Sequence, residues 1–308
     1  VSELLAIPDP ATAINAQGPW TNRTVAANAA RFHLVEAGSG PLVVLLHGFP
    51  TYWYTWRHAI PALARAGYRA VAMDLRGYGG SDKTPHGYDP LSLATDVASV
   101  VRSLGERSAI IVGHGWGATI AWTLACTQPE LTRAIAAVSM PHPADLRAAI
   151  TRDRRQLRAA YYSLAYQIPF LPERRLTAHQ AERVARILRE RSLDDSWLDP
   201  TAEAMFRAAM LSPASAHCAV EYHRWAVRSI PRRDGRAFRA ALSAPVTVPV
   251  LQVHGTSDPS ILVSSLGDTA DRVDAPYEQV LIEAGHYPHE ESPTLFNGAL
   301  ISWLNALE

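Results

Sequence analysis

An α/β architecture, with a mostly parallel central sheet flanked by helices and interrupted by a helical insertion, is predicted by three features of this 308-residue sequence. Short continuous apolar runs read as strands buried on both faces, as in a parallel sheet covered by helices. Helical periodicities alternate with those runs in the order strand, helix, strand. The strand signal then disappears from residue 141 to about 243 and resumes near the end of the chain.

The elements follow in order. Residues 31–36 alternate in polarity and meet Gly38-Ser39-Gly40, after which Pro41-Leu42-Val43-Val44-Leu45-Leu46 is a fully apolar strand. Pro61-Ala62-Leu63-Ala64 lies in a helical stretch ended by Gly67; residues 69–73 form the next strand, and residues 91–104 carry apolar side chains at helical spacing. Residues 108–112 are a buried strand, residues 118–127 a helix, and residues 135–138 a strand. Strand patterns at 248–253 and 278–282 complete the sheet, each followed by a loop and a helical pattern. The expected division is therefore a core of 1–140 and 244–308, with a helical lid at 141–243. Arginine-rich stretches such as Arg152-Asp153-Arg154-Arg155 read as solvated helix faces. Residues 1–20 mix Glu3, Asp9 and three prolines and lack the basic-then-apolar order of a signal peptide, so they read as an arm.

Composition removes several function classes. At 48% apolar and 19% charged the chain is globular, not disordered. The 29 basic and 29 acidic residues balance, which leaves no long-range field to gather nucleic acid or an anionic membrane. Lys83 is the only lysine, so Schiff-base cofactor chemistry has almost no residue to use. Cys126 and Cys218 form neither a disulfide framework nor a thiolate metal site. No 18 apolar residues run together, and a cytoplasmic location is the expectation. No cofactor is expected.

The chemistry-bearing segment is Gly113-His114-Gly115-Trp116-Gly117, set between a strand and a helix. That context is a nucleophile elbow, a turn so tight that side chains at 113 and 117 would strike the neighbouring strand and helix. The central position projects into the site, and there the chain has Gly115 where nucleophilic chemistry requires Ser, Asp or Cys. Gly113, Gly115 and Ala118 also fit a G-x-G-x-x-A phosphate loop, but no acidic residue closes the next strand, which ends at Ser139-Met140-Pro141. His286, His289 and Glu290 resemble a metal cluster, yet Pro288 between the histidines disfavours the helix that would align them.

Together with the elbow, His47-Gly48-Phe49-Pro50, the run Asp74-Leu75-Arg76-Gly77-Tyr78-Gly79-Gly80-Ser81-Asp82-Lys83, and Gly285-His286-Tyr287-Pro288-His289-Glu290-Glu291 match one pattern. The chain resembles the epoxide hydrolases of the α/β-hydrolase fold from roughly Gly18 to its C-terminus. The resemblance implies that an elbow aspartate attacks an epoxide carbon to form an alkyl-enzyme ester, which a His-activated water hydrolyses to a diol. It places the base at His286 and its orienting acid at Asp258, within Gly255-Thr256-Ser257-Asp258-Pro259. It places the oxyanion hole at the backbone N–H groups of Phe49 and Trp116. Phe49 before Pro50 resembles epoxide hydrolases more than haloalkane dehalogenases, which tend to have asparagine there.

The family also supplies ring-opening acids from two lid tyrosines, whose phenols stay protonated at neutral pH. Tyr162, five residues before Gln167, matches the first, with Tyr161 and Tyr166 as neighbours; Tyr166 is also expected to line the substrate site. For the second, Glu221-Tyr222-His223-Arg224-Trp225 aligns His223 with the usual tyrosine, so that either His223 is the donor or Tyr222 serves in a shifted register. The implied partner is a small apolar epoxide or related ligand, with a homodimer as the candidate assembly.

Gly115 closes the covalent route, because glycine has no atom to form the ester. Neither His114 nor Trp116 substitutes, and Cys126 lies too deep in the following helix. Three readings follow: water activated by His286 attacks the epoxide directly, the chain binds a ligand without turnover, or the site is esterase-like.

Overall fold

Eight strands form one sheet in the computed structural model, which describes residues 6–307. They are β1 (Thr21–Ala27), β2 (Ala30–Ala37), β3 (Leu42–Leu46), β4 (Arg69–Met73), β5 (Ala109–His114), β6 (Thr132–Val138), β7 (Val250–Gly255) and β8 (Tyr277–Ile282). Their order across the sheet is β1-β2-β4-β3-β5-β6-β7-β8. β2 pairs antiparallel with β1 and β4, and every other pairing is parallel. This is the α/β-hydrolase fold. The apolar runs occupy the middle: every residue of β3, β5 and β7 is buried.

One strand lies outside the expectation. β1 has the sequence Thr21-Asn22-Arg23-Thr24-Val25-Ala26-Ala27, of which only Val25 and Ala27 are buried, so this edge strand carries almost no apolar period. The arm read at residues 1–20 falls partly, at 1–5, outside the described residues; the part next to β1 is docked. The short helix α1 (Pro10–Ile14) is capped by the Asp9 carboxylate, and its carbonyls at Ala13 and Ile14 accept from the Tyr52 hydroxyl at 3.0 Å and the Trp53 indole N–H at 2.8 Å.

The helices of the sheet region are α2 (Ala59–Arg65), α3 (Pro90–Ser103) and α4 (Trp116–Thr127). Asp89 caps α3 by accepting from Ser92 N–H at 2.9 Å, with Pro90 at the first helical position. Between β6 and β7 come α5 (Pro143–Arg152), α6 (Arg154–Ala160), α7 (Tyr162–Ala165), α8 (Leu171–Arg191, broken at residues 178–181), α9 (Pro200–Met210), α10 (Ser215–Arg228) and α11 (Arg233–Ala241). After β8 the chain continues into α12 (Pro288–Glu291) and α13 (Pro293–Asn305). Among the described residues no helix is long and apolar enough to cross a membrane.

The Asp74 carboxylate gives the glycine-rich run after it a fixed shape. It accepts from Trp53 N–H and Gly80 N–H, each at 2.9 Å, and pairs with His33 Nδ1 at 2.9 Å. One buried acid thereby ties the loops after β3 and β4 to β2, beside the site.

Candidate active site

The chain turns at Gly115 directly from β5 into α4, with φ 54° and ψ −113°, a backbone conformation that side-chain-bearing residues rarely adopt. Close approach fixes the flanking glycines: a Cβ on Gly113 would fall 2.2 Å from the Gly117 carbonyl oxygen, and one on Gly117 2.2 Å from that of Leu46. Gly115 is different. A Cβ there would meet only Gly48 Cα at 3.7 Å and His286 Nε2 at 3.8 Å, both ordinary contacts. The elbow has room for a Cβ and carries none.

Parallel pairing of β7 with β8, Gly255 opposite Ile282, brings the loops that follow both strands to the same edge of the sheet. One loop carries Asp258 and the other His286. Asp258 Oδ2 lies 2.7 Å from His286 Nδ1, and Oδ1 accepts from Ser260 N–H at 2.7 Å and Ile261 N–H at 3.0 Å. Burial pushes the Asp258 carboxyl up, but the charges of His286 and His254 and these hydrogen bonds outweigh it and hold the group below its ordinary value. An ionised carboxylate only accepts, so Nδ1 is the donor, and in the neutral imidazole Nε2 is then the lone-pair nitrogen. That lone-pair nitrogen is the atom facing position 115.

Beneath His286 the histidines are neutral. His114 Nε2 pairs with the His286 carbonyl at 2.9 Å, and its ring centroid lies 4.6 Å from that of His289. Burial, reinforced by neighbouring histidines, pushes both His114 and His289 well below their ordinary values. His289 Nε2 pairs with Thr55 Oγ1 at 2.8 Å, and Glu290 accepts from Arg57 at 2.7 Å, so both are engaged with the segment after β3. Among the described residues no group of three or more His, Cys, Asp or Glu converges to hold a metal ion.

Trp116 opens α4, so its N–H has no intrahelical acceptor. The Gly115 N–H is already spent on the Val138 carbonyl at 3.0 Å. Phe49 follows Gly48, the other neighbour of position 115. Both positions expected to supply the oxyanion hole therefore border the elbow.

His223, on α10, is the hub of an aromatic cluster beside the elbow. Its ring centroid lies 4.8 Å from Phe49, 5.0 Å from Tyr166, 5.5 Å from Tyr162 and 5.6 Å from Trp116. Burial, with a contribution from Arg191, pushes its imidazole down to about 3, and its Nε2 is buried without a partner among the described residues. Tyr222 goes elsewhere: its hydroxyl donates to the Arg76 carbonyl at 2.7 Å and its ring packs on Tyr78. The shifted-register alternative is thus corrected, since that phenol is committed to a backbone acceptor; the ring still touches Trp116, at 5.6 Å between centroids. Tyr161 is 66% exposed and faces solvent. Burial raises the Tyr166 phenol to about 12. Gln167 donates to the carbonyls of Ser163 at 2.9 Å and His223 at 3.2 Å, which joins α7 to α10. Cys126 is inert, its thiol raised by burial to about 11.

Two residues had no assigned role in the sequence. Glu291, inside the quoted C-terminal motif, accepts from the N–H groups of Leu193 (2.8 Å), Asp194 (3.2 Å), Gly285 (2.9 Å) and Tyr287 (3.1 Å). It latches the chain beyond α8 to the His286 loop. Arg191, at the end of α8, accepts on its carbonyl from His286 N–H at 2.7 Å. Its guanidinium carbon stands 4.5 Å from the Tyr162 ring centroid. It is one arginine among many in the helical insertion, and no local pattern marks it.

An imidazole held by a buried carboxylate, beside an elbow and backbone donors, defines a hydrolase-type site on this fold. Residues 41–293 match the family model described as alpha/beta hydrolase fold. Epoxide hydrolase A of Mycobacterium tuberculosis is 32% identical, over 94% of this chain and 99% of that protein. The crystal structure of epoxide hydrolase A from Mycobacterium thermoresistibile superposes with a TM-score of 0.81 at 30% identity, covering 94% of this chain and 99% of that one. A point mutant of a Bacillus megaterium epoxide hydrolase, complexed with its product, a naphthyloxy-propane-1,2-diol, gives 0.81 at 26% identity, over 92% of this chain and all of that one. The chain belongs to the epoxide hydrolase family of α/β-hydrolase-fold proteins.

Proposed function

We propose that this chain is an epoxide-hydrolase-like protein that opens an epoxide to a vicinal diol by direct attack of water, the covalent route being closed at Gly115. The observation that carries the reading is that position 115 holds no side chain where a Cβ would fit at ordinary contact distances, 3.8 Å from His286 Nε2. In this mechanism the water oxygen forms a bond to an epoxide carbon while His286 Nε2 takes its proton and Asp258 stabilises the resulting imidazolium. The carbon–oxygen bond of the ring breaks, and the ring oxygen takes a proton from the Tyr162 phenol. Proton return from His286, through solvent, restores the phenol, so that epoxide and water balance to diol. His223, neutral and unpartnered at Nε2, is the second group able to bond the ring oxygen when its Nε2 carries the proton. The helical insertion from residue 141 to 243 acts as the cap that supplies these donors.

The diol product bound to the Bacillus megaterium relative supports an epoxide as the substrate class. A panel of epoxides incubated with stoichiometric protein in ¹⁸O-water tests the reading. The expected result is slow formation of singly labelled diol, lost in His286→Gln. No diol from any epoxide with this chain, together with diol from Gly115→Asp, overturns direct attack and leaves a ligand-binding protein. Ester hydrolysis gained by Gly115→Ser, without epoxide turnover by any form, favours the esterase-like alternative.

A further inference from the structure

Arg191 is a cation of this cluster that makes no salt bridge among the described residues, although the Asp258 carboxylate acts on it at longer range. Among the described residues no carboxylate pairs with it: neighbouring Glu190 binds Arg183 at 3.2 Å, Asp258 is occupied by His286 and two backbone N–H groups, and Glu291 is occupied by the loop N–H groups it latches. The residue is only partly buried. Its guanidinium stacks over Tyr162 at 4.5 Å and lies 6.0 Å from the Phe49 ring centroid. The Tyr287 hydroxyl lies beside the same guanidinium, and, like His223 Nε2, it is buried with no hydrogen bond of normal geometry among the described residues. A guanidinium offers planar, paired donors that match a carboxylate, and partial removal from water strengthens such a pair.

We propose that Arg191 is a specificity-determining residue and that the ligand is a short epoxy carboxylate, its carboxylate paired with Arg191 and its oxirane beside Tyr162 and Gly115. The stacking of the guanidinium on Tyr162 sets the spacing: an anion on Arg191 lies within a few bonds of an oxygen held by the phenol. A carboxylate at the end of a long chain would not reach both. The remaining wall, Phe49, Tyr166 and His223, packs against the ligand's carbon frame. This inference rests on the reading of the site given above.

Titration calorimetry on the intact chain with glycidate and with glycidamide, its neutral isostere, tests it. The expected result is a preference for glycidate of about tenfold or more. Arg191→Gln is expected to narrow that ratio to within about twofold, and Arg191→Lys to keep part of it; matching far-ultraviolet dichroism of the variants verifies folding. Equal affinity for the two ligands, no binding of either, or a preference that survives Arg191→Gln overturns the inference. The two readings fail separately. Glycidate preferred in binding but never hydrolysed supports the anion site against the catalytic proposal, whereas both epoxides hydrolysed without preference does the reverse.

Discussion

His286 Nε2 stands 3.8 Å from the point where a Cβ on Gly115 would lie, with only Gly48 Cα as another neighbour within 4 Å. A Cβ at 115 therefore sits beside the base at ordinary contact distances. Gly115→Asp is expected to raise diol formation from epoxides greatly above the slow rate of the chain itself, with an alkyl-enzyme adduct detectable by mass spectrometry. The positive φ makes the same change cost about 1–3 kcal/mol of stability, read by denaturant unfolding. Activity gained and stability lost in one variant is the expected signature of an elbow.

The Asp258–His286 pair fixes which imidazole nitrogen is basic. Asp258→Asn would present an amide in place of a charged acceptor, which favours the wrong tautomer and leaves the imidazolium unstabilised. Hydrolysis by the chain, or by Gly115→Asp, is expected to fall about 10²–10⁴-fold, close to the loss for His286→Gln. Steady-state or single-turnover rates at pH 7 measure it, and a loss under about threefold would remove Asp258 from the mechanism.

Glu291 joins two segments that are remote in sequence. Glu291→Ala leaves the N–H groups of Leu193, Asp194, Gly285 and Tyr287 without their carboxylate. Loss of charged hydrogen bonds of this kind is expected to cost about 2–3 kcal/mol. Limited proteolysis should then cut near residues 193–194 faster than in the parent chain, and Glu291→Gln should recover part of the protection.

His223 predicts a pH dependence of stability. Its imidazole is held down to about 3 by burial and Arg191, whereas in the unfolded chain it titrates near 6.5. Between those values the unfolded state binds the extra proton, so stability is full above about pH 6.5 and is lost as pH falls toward 3, by about 1.4 kcal/mol per pH unit at most. Because His142, lowered to about 4, contributes in the same direction, the diagnostic is a difference. Thermal unfolding of His223→Gln between about pH 7 and 4.5 should fall less steeply than that of the parent chain.

The sequence by itself determined the alternating elements, because strands covered on both faces must be continuously apolar. It also determined the steric need for Gly113 and Gly117 and the absence of side-chain atoms at 115, which is a fact of composition. Motif order points to His286 and Asp258, which the fold brings together at 2.7 Å. Edge strand β1 escaped, because a strand with one protected face and few buried residues carries no strong period. Only the tertiary structure separates the surroundings of Tyr222 and His223: neighbours on a helix point about 100° apart, and the packing of α10 fixes which one meets Phe49 and which reaches the Arg76 carbonyl. It alone brought Arg191 and Glu291 to the His286 loop. Local patterns record burial along a segment, whereas a charge's partner depends on how segments far apart in the chain come to rest against each other.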